Sequence, residues 1–247
     1  MTTTPTIALL QFRTSPEVRA DEERNCREKV NGLADIVTYN ALEMDCSNLP
    51  LDQYAGFIFG GSGELYISEG GALVDSARQH TRELITNIVR TDTPSLFICL
   101  GLHLLGDHYE VPFHKKGDYK EIGTVPILLT DTAMRDPLYK GMPKVFSAQT
   151  GHYDAIQRIP HGAQFLAQNS ACSVQAFKMG QRVYAVQFHP EMDLADVHFR
   201  LSYYPKYDAS SAIFEESPHA ARIMRNFATL AREHYANAVT GTVGVHK

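Results

Sequence analysis

Hydrophobic and polar positions along the chain switch repeatedly between an extended and a helical period. Thr6 to Phe12, Asp35 to Leu42 and Gly56 to Phe59 read as strands, Asp21 to Leu33 as a polar amphipathic helix, and Leu73 to Arg90 as the clearest helix of the first half. Further along, the pattern changes to shorter extended segments separated by turns: Thr124 to Thr130, Lys144 to Ala148, Gln164 to Gln168 and Gln175 to Phe188. Met192 to Tyr204 and His219 to Val239 return to helical spacing, the second with an apolar stripe at Ala220, Ile223, Met224, Phe227, Leu230 and Ala231. Such alternation predicts an α/β fold: a doubly wound, mostly parallel sheet flanked by helices, with a small antiparallel extension from the later strands. No repeat, low-complexity tract or linker interrupts the pattern, so residues 1–247 are expected to form one domain.

One junction in this pattern carries chemistry. Ser95 to Ile98 is a short apolar run introduced by Pro94, and Leu102, Leu104 and Leu105 suit one side of a helix, which puts Cys99 on the corner between them. A sharp strand-to-helix turn is the form of a nucleophile elbow, and Gly101 removes a side chain where such a turn is most crowded. The helix N-terminus would set N–H groups and positive dipole beside the sulfur, favouring the thiolate. A free Cys is also commonly just a small buried apolar residue, and Cys99 alone does not decide between the two.

A second segment does. Tyr184 to Glu191, YAVQFHPE, is an apolar strand ending in His189, Pro190 and Glu191. A thiol nucleophile needs a base, and the base needs a third group to fix its tautomer; His189 and Glu191 suit these roles, with Pro190 stiffening the chain between them.

The two segments together resemble the class I glutamine amidotransferases, whose usual motifs are G-x-C-x-G-x-Q at the nucleophile and F-H-P-E at the end of the domain. Here the first stands as Phe97-Ile98-Cys99-Leu100-Gly101-Leu102-His103 and the second is intact as Phe188-His189-Pro190-Glu191. Phe57 to Gly63, FIFGGSG, looks like the family's strand and glycine turn that helps form the oxyanion hole, and His152-Tyr153-Asp154 like its H-x-D loop facing the glutamine pocket. The resemblance implies a flavodoxin-like sheet, a Cys99–His189–Glu191 triad, oxyanion donors at the amides of Gly61 and Leu100, and substrate contacts from Gly60, His103, His152 and Asp154. It implies no cofactor and no metal. Two positions depart from the pattern: Phe97 stands where the family has Gly, either narrowing the pocket or packing behind it, and His103 stands where the family has the Gln that holds the amino-acid end of the substrate.

The activity implied is hydrolysis of glutamine to glutamate and ammonia through a γ-glutamyl thioester, with the ammonia passed to a partner synthetase. Two other readings stay open: a stand-alone hydrolase of another γ-glutamyl amide, which His103 would suit, and a non-catalytic binding module. Taken without the elbow, Gly60-Gly61-Ser62-Gly63 is either a phosphate cradle or a flexible turn, and it matches neither nucleotide-binding glycine pattern. His152 and Asp154 serve either the pocket or a local turn.

Composition narrows the class further. A net charge of −5 offers no basic surface for nucleic acid. Cys26, Cys46, Cys99 and Cys172 form no C-x-x-C pair, which suggests neither a zinc site nor a disulfide framework. No basic leader or long apolar run is visible, so a cytoplasmic protein without a membrane partner is expected.

Overall fold

The computed structural model describes residues 4–114 and 120–243. Nine strands form one sheet among them: β1 (Thr6–Gln11), β2 (Asp35–Asn40), β3 (Gly56–Phe59), β4 (Ser95–Ile98), β5 (Glu121–Leu129), β6 (Val145–His152), β7 (Gln164–Gln168), β8 (Ala176–Met179) and β9 (Val183–Val186), in the order β2-β1-β3-β4-β9-β8-β7-β5-β6. From β2 to β9 neighbours run parallel, and from β9 to β6 antiparallel. The mostly parallel sheet and its antiparallel extension are therefore both present, as the pattern predicts.

Five helices cover the two faces: α1 (Pro16–Val30), α2 (Ala72–Thr91), α3 (Leu100–His108), α4 (Leu194–Tyr203) and α5 (Ala221–Val243). Because strand side chains alternate, each central strand feeds two cores. Ile7, Leu9, Leu96 and Ile98 point to one, with Val30 of α1 and Phe227 of α5, while Ala8, Leu10 and Phe97 point to the other, with Leu84 of α2 and Leu105 of α3.

Three boundaries differ from the sequence pattern. Helix α1 starts at Pro16 rather than Asp21, because the Ser15 side chain accepts the Val18 N–H at 3.3 Å and Pro16 suits the first helical position. The segment Gln175 to Phe188 is a hairpin of β8 and β9, turning at Gly180 with φ +56° while the Asp92 carboxylate accepts the N–H groups of Gln181 and Arg182. Helix α4 starts at Leu194 behind a capping box in which Asp193 and Asp196 each bond the other's backbone N–H.

Candidate active site

Cys99 lies between β4 and α3 with φ +50° and ψ −100°, a left-handed conformation that costs a non-glycine residue about 1–3 kcal/mol. Its N–H donates to the Val186 carbonyl of β9 at 2.8 Å, and its carbonyl accepts the His103 N–H at 3.1 Å. Gly101 is what lets the corner close, since a Cβ there would stand 2.6 Å from the Phe59 carbonyl oxygen of β3. Leu100 opens α3, where backbone N–H groups have no partner inside the helix.

The glycine turn after β3 comes in beside this corner. A Cβ on Gly61 would lie 2.6 Å from His189 Cε1 and 3.5 Å from Cys99 Cβ, so the Gly61 backbone sits directly against both side chains. A Cβ on Gly60 would meet the Glu22 carboxylate at 2.7 Å, and one on Gly63 the Tyr204 ring at 2.6 Å. The turn is thus packed on all sides by side chains, which leaves no room for a phosphate cradle. Gly60 faces Glu22 rather than the space beside Cys99.

His189 arrives from the antiparallel half. Its N–H donates to the Gln149 carbonyl of β6 at 2.9 Å, which clamps the loop after β9 to the sheet. Its Nδ1 is 2.8 Å from Glu191 Oε1, and the ring is also hydrogen-bonded to the Cys99 thiol. His189 is 6% exposed and Glu191 1%. Burial alone would lower the His189 pKa, but the charges of Glu191 and Cys99 reverse this and raise it to about 10. Burial would raise that of Glu191, yet the imidazolium and the Arg200 guanidinium hold it below the usual carboxylate range.

A cavity of about 200 Å³ opens beside Cys99, lined among others by Tyr66, Leu100, His103, His152, Asp154 and Tyr207. His103 Nε2 is 2.8 Å from Gln187 Oε1, and burial brings its pKa down to about 4 despite the Asp154 charge, so the ring is neutral at pH 7. His152 has its Nδ1 2.8 Å from the Asp154 carbonyl and its Nε2 3.1 Å from Glu121 Oε2. The Asp154 carboxylate accepts both the N–H and the hydroxyl of Ser68, which ties the loop after β3 to the end of β6. The pocket and local-turn readings of His152 and Asp154 therefore describe the same residues: they line the cavity and use their polar atoms to hold its walls. Phe97 does not narrow the cavity. It stacks on Phe59 with centroids 4.1 Å apart, in the core on the α2 and α3 side.

A second cavity, about 460 Å³, lies on the His189 side and shares Ser62, Gly151 and Tyr207 with the first. Its far wall comes from Arg13, Arg200 and Tyr204, none of which the sequence pattern places at a site. Tyr207 is hydrogen-bonded to Tyr66 and stands between the two spaces. The aromatic cluster of Tyr203, Tyr204 and Tyr207 is visible in the sequence, but nothing in it marks Tyr207 as a cavity wall.

The other thiols are set apart. Burial, then the Glu191 and Glu22 charges, push Cys26 well above the ordinary thiol range; burial pushes Cys46 up to about 11; Cys172 donates to the Val174 carbonyl at 3.3 Å. No group of three His, Cys, Asp or Glu side chains among the described residues is arranged to hold a metal ion, and no helix there is long and apolar enough to cross a membrane.

In comparisons with known proteins, the family model described as glutamine amidotransferase class-I matches residues 38–197. The chain belongs to this family. As a class I glutamine amidotransferase it is 29% identical over 143 residues to the glutamine-hydrolyzing subunit of GMP synthase from Thermococcus kodakarensis, covering 58% of this chain and 62% of that protein. The protein of the same description from Pyrococcus abyssi is 25% identical over 168 residues, 68% of this chain and 75% of the relative. The chain thus spans less than two thirds of the Thermococcus relative's length. The amidotransferase fold is shared with a glutamine amidotransferase of Thermotoga maritima, at TM-score 0.66 and 17% identity over 96% of this chain and 98% of that one. It is shared also with one of Methylobacillus flagellatus, at TM-score 0.61 and 18% identity over 97% and 96%. Cys99, Gly61, His189 and Glu191 all fall inside the matched span, whereas Arg13, Arg200 and Tyr207 fall outside it.

Proposed function

We propose that residues 1–247 act as one amidotransferase domain that hydrolyses the side-chain amide of glutamine to glutamate and ammonia, with Cys99, His189 and Glu191 as the triad. The observation that carries this reading is the continuous hydrogen-bonded line from the Cys99 thiol through His189 to Glu191 at a strained strand-to-helix corner. In the first half-reaction the Cys99 thiolate attacks the amide carbon, His189 gives its proton to the departing nitrogen, and ammonia leaves a γ-glutamyl thioester. Water then attacks the thioester as His189 takes its proton, and glutamate is released with Cys99 restored. Glu191 keeps the imidazole oriented and charged between these steps. The amides of Gly61 and Leu100 face the oxyanion, each worth about 3 kcal/mol of the barrier. His103, His152 and Asp154 shape the end of the cavity that takes the amino-acid part of the substrate.

The curated relatives are named as glutamine-hydrolysing components of a synthase. By that likeness we assign the ammonia to a separate synthetase partner, in the cytoplasm. The test is ammonia and glutamate release from glutamine, alone and with a synthetase partner added, with Cys99→Ala as control. Release that disappears in Cys99→Ala is the expected result. Failure of Cys99 to be alkylated by a chloroketone analogue of glutamine, with or without the partner, would remove the hydrolytic reading.

A further inference from the structure

The second cavity has a composition that ammonia alone does not require. Its wall presents the guanidinium groups of Arg13 and Arg200 and the His189 ring, and among the described residues no Asp or Glu side chain lines it. The acids that neutralise these cations lie behind them: Glu22 bonds Arg13 at 2.8 Å, Asp21 bonds Arg200 at 2.5 Å, and Glu191 bonds His189. Both arginines are at least 95% buried, and each keeps one N–H without a hydrogen-bond partner, Arg13 Nε and Arg200 Nη2. A buried donor of this kind is costly unless something accepts from it. Met192, Val197, Leu201 and Phe214 supply an apolar floor.

The position of the cavity fixes which part of a substrate reaches it. With the carbonyl carbon on Cys99 Sγ and its oxygen toward Gly61 and Leu100, the leaving nitrogen faces His189, which must protonate it. Any substituent on that nitrogen then extends past His189 into the second cavity. We propose that this cavity receives the amine half of an N-substituted γ-glutamyl amide whose amine carries a carboxylate, such as γ-glutamylglycine. The proposal rests on the hydrolytic reading above and extends its substrate class. The step balances as for glutamine: the S–C bond forms, the C–N bond breaks with its electron pair left on nitrogen, and His189 supplies the proton of the free amino acid. Water supplies the oxygen that releases glutamate. Arg13, Arg200, Tyr204, Tyr207 and Phe214 all lie outside the span matched by the family model, so this preference belongs to the parts of the chain around the shared site.

The experiment compares γ-glutamylglycine with γ-glutamylglycinamide, which differ only in the charge at the far end, using glutamine as reference. The expected result is a kcat/KM for the carboxylate at least tenfold above that for the amide. Arg200→Met should erase the ratio, but it also strips Asp21 of a partner. Leu201→Glu, half-buried in the same wall, sets a carboxylate there without breaking an ion pair and should bring the ratio to one or below. Equal rates for the two dipeptides, or turnover of glutamine with neither dipeptide cleaved, would overturn this inference and leave a plain ammonia exit. No turnover of either dipeptide while Cys99 still reacts with the chloroketone would overturn it as well. Loss of that reaction would instead remove the underlying hydrolytic reading.

Discussion

The proton on His189 governs the chemistry at the smallest scale. Burial opposes a charged imidazole, yet one carboxylate at 2.8 Å and one thiol hold it charged far above its usual range. Replacing Glu191 by Gln keeps the shape and removes the charge, so turnover should fall by roughly 10⁴-fold, as for the acid member of comparable triads. The same change has a signature in stability. The His189 pKa is raised from 6.5 to about 10, so its contribution is complete below pH 6.5 and is lost as pH climbs toward 10. That of Glu191 is lowered from 4.5, so its contribution is present above pH 4.5 and is lost as pH falls through its folded value. Urea unfolding of wild type and Glu191→Gln should therefore differ most between about pH 4.5 and 6.5, and the gap should close on both sides. A gap that widens toward pH 10 would contradict the charged pair.

Elements impose the next constraint, because the nucleophile is held by a backbone conformation as well as by contacts. At φ +50° a glycine is unstrained and an alanine is not. Cys99→Gly should thus be about 1 kcal/mol more stable than Cys99→Ala, although both are inactive. Equal urea midpoints would mean that the corner stores no strain. This element was legible in the sequence because its signals are local: Pro94, a four-residue apolar strand, Gly101, and leucines at helical spacing. His189 and Glu191 were legible for the same reason, lying two positions apart. The start of α1 was not, because a Ser15 cap followed by Pro16 outweighs the polar run after it. Nor was the β8–β9 hairpin, whose turn depends on Asp92, almost ninety residues away in sequence. The second cavity was hidden most completely. Arg13 meets Tyr204, and Arg200 meets Asp21, across 191 and 179 residues, and no periodicity reports such meetings.

Across the whole molecule the site is a seam. The parallel half of the sheet supplies Cys99 and the glycine turn, and the antiparallel half clamps His189 through Gln149. Beneath the seam, Asp21 of α1 bonds Arg24 at 2.6 Å and Arg200 of α4 at 2.5 Å, while Arg24 reaches Asp196 of α4 at 2.9 Å. Asp21→Asn leaves Arg200 buried without its acid and should lower the unfolding free energy by about 3 kcal/mol in urea titrations. An unchanged midpoint would mean that the network is not needed to join the two helices. The disposition of the four thiols has a further consequence at this scale. Three are buried and held as thiols or bonded to a carbonyl, while Cys99 alone opens onto a cavity beside a base. In native buffer the chain is therefore its own titrant: one equivalent of alkylating reagent per intact molecule counts competent sites by mass, before any substrate has been identified.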